Sequence, residues 1–238
     1  MKIEIWSDIA CPWCYIGKRR LERALAARPG GREVGGEEAG GEEVEITWRS
    51  FELDPGAPPA REESLEEILS RKYGMSLEKA RQMQAHVAAV AAEEGLAFHF
   101  DAVKPGNTFD AHRLIHLAAS EGRQGEMKER LLRAYFTEGI RVGDRSALAE
   151  IAADVGLDAE EARAALASDR YAEDVRRDQA RARELGIGGV PFFLFNGELD
   201  VSGAQPPEVF AQVFAELGAQ EHAAGASAGP ACDDEGCE

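Results

Sequence analysis

The sequence lacks any continuous apolar run of the roughly 20 residues that a membrane-spanning helix needs. It is also poor in positive charge, since 27 lysines and arginines stand against 44 aspartates and glutamates, for a net charge of −17. An acidic surface repels nucleic-acid phosphates and anionic lipids, so neither nucleic acid nor a membrane is an expected partner. The chain opens directly on an alternating stretch, without a charged leader and apolar segment, which favours a cytoplasmic location.

Cysteine is also scarce. Only four cysteines occur in 238 residues, and they form two close pairs, Cys11 with Cys14 and Cys232 with Cys237. In the cytoplasm persistent structural disulfides are uncommon, and paired cysteines are more often catalytic, redox-sensing or metal-binding. The chain length suits one large domain, or one domain with a substantial insertion, and 44% hydrophobic residues provide for a sizeable core. Both cysteine pairs therefore need a chemical explanation.

The first cysteine pair lies at a predicted strand-to-helix turn. Residues 2–6 alternate between polar and apolar side chains, which predicts a strand. After the cysteines, apolar residues recur at helical spacing up to Leu25, so a helix begins at or near Cys11. Pro12 is compatible with the first helical turn, because its missing N–H would have no partner within the helix.

A thiol at the start of a helix faces unpaired backbone N–H groups and the positive end of the helix dipole, which favour the thiolate. The thiolate is the nucleophile, so Cys11 is the expected attacking residue. Cys14 lies one helical turn further on and is placed to close a disulfide or resolve a mixed disulfide. Two other interpretations stay open: half of a zinc site, or two buried thiols that only pack.

The middle of the chain changes character twice. Residues 30–43 are almost entirely glycine and glutamate, which predicts a mobile surface loop, and residues 44–51 alternate as a second strand. From residue 61 to 186 only helical patterns occur, with capping signals at Ser64, Ser76 and Asp158. We therefore expect an all-helical insertion of seven helices within an α/β fold.

The strand pattern returns after the helices. Val190-Pro191 precedes the apolar strand 192–195, Asn196-Gly197 is a strong hairpin signal, and a final helix follows up to about residue 217. The expected domains are a discontinuous α/β domain of residues 1–60 and 187–218, a helical insertion of residues 61–186, and a flexible tail of residues 219–238.

Three stretches carry a family resemblance: residues 1–17 with Cys-Pro-Trp-Cys, residues 107–114, and residues 188–192 with Val190-Pro191. Together they resemble the FrnE group of DsbA-like oxidoreductases in the thioredoxin superfamily. The resemblance implies a thioredoxin-like α/β fold, a central mixed sheet with flanking helices, interrupted by an all-helical domain. It also implies a cis peptide bond before Pro191, which faces the cysteines. The substrate contacts that it implies are Pro12, Trp13, Val190, Asn107 and His112.

The expected activity is thiol–disulfide oxidoreduction or isomerisation of protein disulfides, with Cys11, Cys14 and Pro191 as the catalytic residues. No cofactor is expected beyond the redox-active disulfide. The partners are client proteins with thiols or disulfides and a small-thiol or thioredoxin-type reductant, glutathione being one candidate. Trp13 stands where strongly oxidising DsbA proteins carry histidine, so a less oxidising couple is expected.

Two other functions remain open. Kappa-class glutathione transferases and 2-hydroxychromene-2-carboxylate isomerases share the same branch of the superfamily, but they typically carry serine in the nucleophile position. A zinc-binding or redox-sensing protein is the non-enzymatic alternative. His112 and His116 lie four residues apart, but no third ligand accompanies them, so no metal site is expected.

The tail carries the second cysteine pair, Cys232 and Cys237, around three acidic residues that should raise the pKa values of both thiols. Similar tails occur in FrnE-like proteins, which favours an auxiliary redox pair that exchanges electrons with Cys11 and Cys14. Metal binding and an inert chain end are the alternatives.

Overall fold

The computed structural model of the protein describes residues 1–28 and 44–227, and from residue 220 onward it describes the backbone alone. The glycine- and glutamate-rich loop and the cysteines of the tail, Cys232 and Cys237, lie outside the described residues. Four strands occur in the described part: β1 (Lys2–Ser7), β2 (Glu45–Ser50), β3 (Phe192–Phe195) and β4 (Leu199–Ser202). The helices there are α1 (Pro12–Ala26), α2 (Leu65–Tyr73), α3 (Leu77–Glu93), α4 (Phe109–Ser120), α5 (Gln124–Phe136), α6 (Arg145–Asp154), α7 (Ala159–Ala167), α8 (Ala172–Glu184) and α9 (Pro207–Ser227).

The strands form one mixed sheet in the order β2-β1-β3-β4. β1 and β2 are parallel and joined through α1, whereas β3 pairs antiparallel with both β1 and β4. Asn196 and Gly197 connect β3 to β4 with positive φ angles of 49° and 78°, as a tight hairpin turn requires. The predicted α/β fold with a central mixed sheet, a thioredoxin-like fold, is confirmed.

Seven helices, α2 to α8, separate β2 from β3, and the predicted caps form at several of their ends. Ser64 and Glu67 make a reciprocal capping box at α2, and Gly74 ends that helix in the left-handed conformation. Asp158 accepts hydrogen bonds from the N–H groups of Glu160 and Glu161 at the start of α7. Local capping chemistry therefore determines where these helices begin.

One boundary differs from the sequence expectation. The final helix passes through Gly218 and continues to Ser227, so residues 219–227 are helical instead of part of a flexible tail. An interior glycine costs about 1 kcal/mol relative to alanine, which is a weak signal for a helix end. The alanine-rich residues that follow have the highest helix propensity and allow the helix to continue.

The helical segment closes one edge of the sheet. The side-chain amide of Gln124, at the start of α5, accepts from Trp48 N at 2.9 Å and donates to Trp48 O at 3.1 Å. The amide therefore satisfies the N–H and the C=O of Trp48, which lie on the side of β2 that no described strand covers. This contact fixes α5 against β2, and the next turn of the helix brings Lys128 beneath the cysteine-bearing turn.

A second point of close packing lies between the segment after β2 and the helical region. A Cβ atom added at Gly143 would lie 2.0 Å from the carbonyl oxygen of Pro59, a separation that real structures do not show. We expect Gly143→Ala to lower the free energy of unfolding by about 1–3 kcal/mol, the usual cost of overpacking. Urea unfolding measures this loss. Gly188→Ala is the matched control, since nothing lies within 4 Å of its added Cβ, and an equal loss there would contradict the packing argument.

Candidate active site

The turn between β1 and α1 places both cysteines at one helix end. Cys11 is the N-cap residue of α1, with φ −95° and ψ 111°, and Pro12 is the first helical residue. The N–H of Cys14 donates to the carbonyl oxygen of Cys11 at 3.1 Å, which closes the first turn. Both thiols are free and buried, whereas Trp13 between them is 36% exposed.

The segment before β3 lies opposite Cys11. The Val190–Pro191 peptide bond is cis, and the Cys11 thiol donates a hydrogen bond to the Val190 carbonyl oxygen at 3.4 Å. Residues that are 179 positions apart in the chain are thereby in contact. The structure thus brings together two stretches that the sequence analysis identified separately, Cys11 with Cys14 and Val190 with Pro191.

Gly17, on α1, packs closely against Pro191. A Cβ atom added at Gly17 would lie 3.0 Å from Pro191 Cγ and 3.2 Å from Phe193 Cζ, so the proline would have to move. We expect Gly17→Ala to lower kcat/KM for disulfide exchange by about tenfold, because Pro191 must move by a few tenths of an ångström and a displacement of about 1 Å at a reacting centre costs on the order of 100-fold. A thiol–disulfide exchange assay on a protein disulfide measures this. The helix itself should not suffer, since alanine is the better helix former, so unchanged exchange kinetics would contradict the positioning role.

Asp8 forms the polar floor of the turn and is buried. Its carboxylate accepts from the N–H of Leu53 at 2.7 Å and from the N–H of Ala10 at 3.3 Å. His112 Nε2 lies 3.4 Å from Asp8 Oδ1. Burial alone would raise the pKa of Asp8, but the hydrogen bond and the charge of His112, with the bond from Leu53, hold it below its usual value. Asp8 is therefore a buried carboxylate beside the thiols.

Lys128 is the second buried charge at the site and is 1% exposed. Its ammonium group donates to the carbonyl oxygen of Ser7 at 3.3 Å and lies 5.6 Å from the Trp48 ring centroid. Burial lowers the pKa of Lys128 to about 8, while the negative charges of Cys14, Asp8 and Cys11 act in the opposite direction. Lys128 thus brings a positive charge from the helical segment to the base of the cysteine turn.

Sequence analysis missed Lys128, although one signal was present. Leu131, Leu132 and Tyr135 follow it at helical spacings of three, four and seven and are buried with it on the same face of α5. A lysine on an apolar helix face is an exception that requires a partner, since buried charges are costly when unpaired. The identity of that partner depends on the tertiary structure.

The two thiols are coupled through a shared hydrogen bond and lie in different surroundings. Hydrogen bonding to Cys14 and burial raise the pKa of Cys11 well above its usual value, and the charges of Cys14 and Asp8 raise it further. Burial opposes the Cys14 thiolate, but the bond from Cys11 and the charge of Lys128 outweigh it, so the pKa of Cys14 is lowered. The helix N-terminus favours a thiolate at Cys11, whereas the hydrogen bond between the two thiols and burial act against it there.

Two of the predicted substrate-contact residues, His112 and Asn107, make hydrogen bonds within the protein. His112 is 1% exposed and its ring contacts Asp8, so the fold already gives it a partner, and its role as a substrate contact stays a prediction. The Asn107 amide reaches Glu52 Oε1 and Pro55 O at 3.4 Å each, and its oxygen accepts from Phe109 N at 2.8 Å. Asn107 therefore links the segment after β2 to the start of α4, and its role as a substrate contact stays a prediction.

Two exposed apolar residues lie near the cysteine turn. Trp13 and Leu53 are 36% and 39% exposed, and the Leu53 N–H is held by Asp8 beside the cysteine turn. Pro12 and Val190 are partly buried next to Cys11. Apolar side chains and one backbone carbonyl therefore lie beside Cys11.

The described residues contain no group of three or more histidine, cysteine, aspartate or glutamate side chains that could hold a metal ion. His116 Nε2 lies 3.1 Å from Asp178 Oδ2 and 3.1 Å from Ser50 Oγ, whereas His112 faces Asp8. The two histidines thus serve different carboxylates. No helix of the described chain is long and apolar enough to cross a membrane.

Comparisons with known proteins identify the family of the chain. The model of the DSBA-like thioredoxin domain matches residues 2–215, so the chain belongs to that family. A probable DsbA oxidoreductase from Streptomyces coelicolor, SCO1869, is 43% identical, with a TM-score of 0.82 over 100% of this chain and 98% of that one.

Two more distant structures share the fold. The cytosolic disulfide reductase DsbM from Pseudomonas aeruginosa is 19% identical with a TM-score of 0.61, over 91% of this chain and 98% of that one. A 2-hydroxychromene-2-carboxylate isomerase is 17% identical with a TM-score of 0.66, over 93% and 98% of the two chains. The fold therefore occurs with two different chemistries, and the residues at the site must distinguish them.

Proposed function

We propose that the protein is a thiol–disulfide oxidoreductase that acts on protein disulfides through Cys11 and Cys14. The observation that carries this proposal is the contact of the cysteine turn with Val190 and the adjoining cis Pro191, in which the Cys11 thiol meets the Val190 carbonyl at 3.4 Å. Membership of the DSBA-like family and the 43% identical Streptomyces relative support the same class.

The chemistry follows from two thiols one helical turn apart. The Cys11 sulfur, once deprotonated, attacks one sulfur of a client disulfide; a Cys11–client disulfide forms, and the other client sulfur leaves as a thiolate. Cys14, as a thiolate, then attacks the Cys11 sulfur and expels the second client thiolate. The two client thiolates take up the two protons that Cys11 and Cys14 gave up. The enzyme ends as a disulfide and the client as a dithiol, and the reverse sequence oxidises a client.

The exposed apolar surface beside Cys11 favours a peptide substrate. Trp13 and Leu53 provide apolar contacts, and the Val190 carbonyl, which Cys11 contacts when no client is bound, is a backbone group that a peptide N–H can pair with. Client recognition by backbone and apolar contacts is compatible with many client sequences.

Turnover in either direction needs an external thiol or disulfide that restores the starting redox state of Cys11 and Cys14. Glutathione or a thioredoxin-type protein has the chemistry to do this. A cytoplasmic site of action is part of the proposal, because DsbM, which shares the fold, is a cytosolic disulfide reductase.

Cys232 and Cys237 are proposed as an auxiliary redox pair on the basis of the sequence alone. A slower turnover of the full chain with both replaced by serine supports that role, and an unchanged rate overturns it.

Insulin reduction by the full chain in a glutathione buffer tests the proposed function. The expected result is precipitation of the insulin B chain at a rate proportional to enzyme, with Cys11 and Cys14 alternating between dithiol and disulfide in mass spectra after alkylation. A glutathione-dependent isomerase of the 2-hydroxychromene-2-carboxylate type would isomerise its substrate without oxidising this pair. Such turnover without cycling of the cysteines would overturn the proposal.

A further inference from the structure

A buried carboxylate, that of Glu94, lies at the C-terminal end of α3. Glu94 is the C-cap residue of that helix, and its side chain is 5% exposed. The C-terminal end of a helix is negative and burial disfavours charge, so a carboxylate at this position needs cationic partners. Two arginines of α1 supply them: Arg20 Nε lies 2.7 Å from Glu94 Oε1, and Arg23 Nη1 lies 2.8 Å from Glu94 Oε2. The helical insertion is thereby joined to the helix that follows the cysteines.

Arg20 also contacts the turn that follows β4. Its Nη1 donates to the carbonyl oxygen of Ala204 at 2.6 Å, so one guanidinium group binds Glu94 and the turn at the same time. Arg23 differs from it in this respect. Among the described residues it forms its ion pair with Glu94 and no hydrogen bond to the turn, and its side chain is 56% exposed. The two arginines therefore share one carboxylate, but Arg20 alone links that carboxylate to Ala204.

The turn that Arg20 contacts supports the cis proline. The N–H of Gly203 donates to the carbonyl oxygen of Pro191 at 2.8 Å. Ala204 also packs near Pro191 on α1, since a Cβ atom added at Gly17 would lie 3.0 Å from Pro191 Cγ and 3.5 Å from Ala204 Cα. Gly17 and Arg20 are three residues apart and lie on the same face of α1. A short series of contacts thus leads from Arg20 to the proline beside Cys11.

We propose that Arg20 is a positioning residue for protein clients. Its guanidinium group holds the turn at residues 203–204, and the turn, through the Gly203 N–H, holds the Val190–Pro191 segment beside Cys11. Arginine suits this role because its planar group presents several donors in a fixed arrangement and can bind two acceptors at once. The inference rests on the proposed function, in which a client backbone pairs with this segment. Arg20 acts on client binding and leaves the thiol chemistry of Cys11 and Cys14 unchanged.

The experiment compares two substrates of the full chain and of Arg20→Met. Insulin presents a peptide backbone to the Val190–Pro191 segment, whereas hydroxyethyl disulfide is a small disulfide without peptide groups. Arg20→Met is expected to lower kcat/KM for insulin by about tenfold, mainly through a higher KM, because a small displacement of a binding group is costly. The rate at which hydroxyethyl disulfide oxidises the reduced protein should stay the same. An equal loss with both substrates, or no loss with insulin, would overturn the positioning role.

Arg23→Met is the matched control, since it removes the other arginine from the same carboxylate. It should keep the insulin kinetics of the parent, and a loss as large as that of Arg20→Met would mean that the charge of Glu94 matters and the link to Ala204 does not. If Arg20→Met does not fold, Arg20→Lys replaces it. A lysine keeps the charge opposite Glu94 but lacks the planar group that spans both acceptors, so the same pattern is expected with a smaller loss. Parent kinetics with insulin in Arg20→Lys would then overturn the proposal.

Amide hydrogen exchange separates this inference from the proposed function. The Gly203 N–H, which is bonded to Pro191, should exchange about fivefold faster in Arg20→Met than in the parent or in Arg23→Met, because protection of an amide follows local stability. If the parent reduces insulin but Gly203 exchanges equally in all three proteins, the positioning role fails and the oxidoreductase function stands. If Gly203 responds as expected but the parent reduces no protein disulfide, the proposed function fails and the contact of Arg20 with the turn is still supported.

Discussion

Replacement of Cys11 by serine is expected to lower insulin reduction at least about a hundredfold, to the rate of the buffer thiols alone, because a serine hydroxyl is a far weaker nucleophile than a thiolate at neutral pH. The fold should be retained, since serine differs from cysteine by one atom and its hydroxyl can also donate to the Val190 carbonyl that Cys11 contacts. Circular dichroism and urea unfolding of the variant establish this before the activity is compared.

The matched comparison for Cys11→Ser is the protein with Cys232 and Cys237 both replaced by serine. That protein keeps the dithiol at the cysteine turn and should remain active, at a reduced rate if the tail pair exchanges electrons with it. Full activity of Cys11→Ser would contradict the assignment of Cys11 as the nucleophile. Complete loss of activity in the tail variant alone would contradict it as well.

Asp8→Ala is expected to lower the free energy of unfolding at pH 7 by about 3–5 kcal/mol, the usual result of removing one partner of a buried ionic contact. The change leaves the N–H groups of Leu53 and Ala10 without their acceptor and leaves His112 unpaired. Asp8→Asn should lose less, since its amide oxygen can still accept from Leu53. Asp101→Ala, at an exposed position, is the control and should stay within about 0.5 kcal/mol of the parent.

The difference in unfolding free energy between the parent and Asp8→Ala should depend on pH in a definite direction. The pKa of Asp8 in the folded protein is lowered from 3.8, so the unfolded chain binds the proton more tightly. The contribution of Asp8 is therefore fully present above about pH 4 and is lost as the pH falls through the folded-state pKa. Urea unfolding of the parent and Asp8→Ala between pH 7 and pH 3 should show the gap narrowing. A gap that widens on acidification would contradict this account of Asp8.

Much of the fold follows from local patterns. The alternation in residues 2–6, the proline after Cys11, the capping box at Ser64 and the Asn196-Gly197 turn each describe a structure of a few residues, and the structure forms each of them. These features depend on backbone sterics and local hydrogen bonds, which the sequence displays directly. The end of α9 was missed because Gly218 is a weaker signal than the alanines that follow it.

The interior of the site depends on contacts that are distant in sequence. Lys128 meets Ser7 across 121 positions, and Asp8 meets His112 across 104. Helical periodicity marks Lys128 as an exception on an apolar face, but it does not identify a partner. The same limit applies to His112, whose place on α4 by resemblance suggested a ligand contact, whereas tertiary packing turns its ring to Asp8.

The most direct test of the central claim is to trap the covalent intermediate. In the full chain with Cys14, Cys232 and Cys237 replaced by serine, no other cysteine remains to resolve a disulfide at Cys11. Incubation with native, disulfide-bonded insulin, acid quenching and mass spectrometry should give insulin joined to Cys11 through one mixed disulfide, and dithiothreitol should release it. A folded variant that forms no such adduct would contradict the assignment of Cys11 as the nucleophile toward protein disulfides.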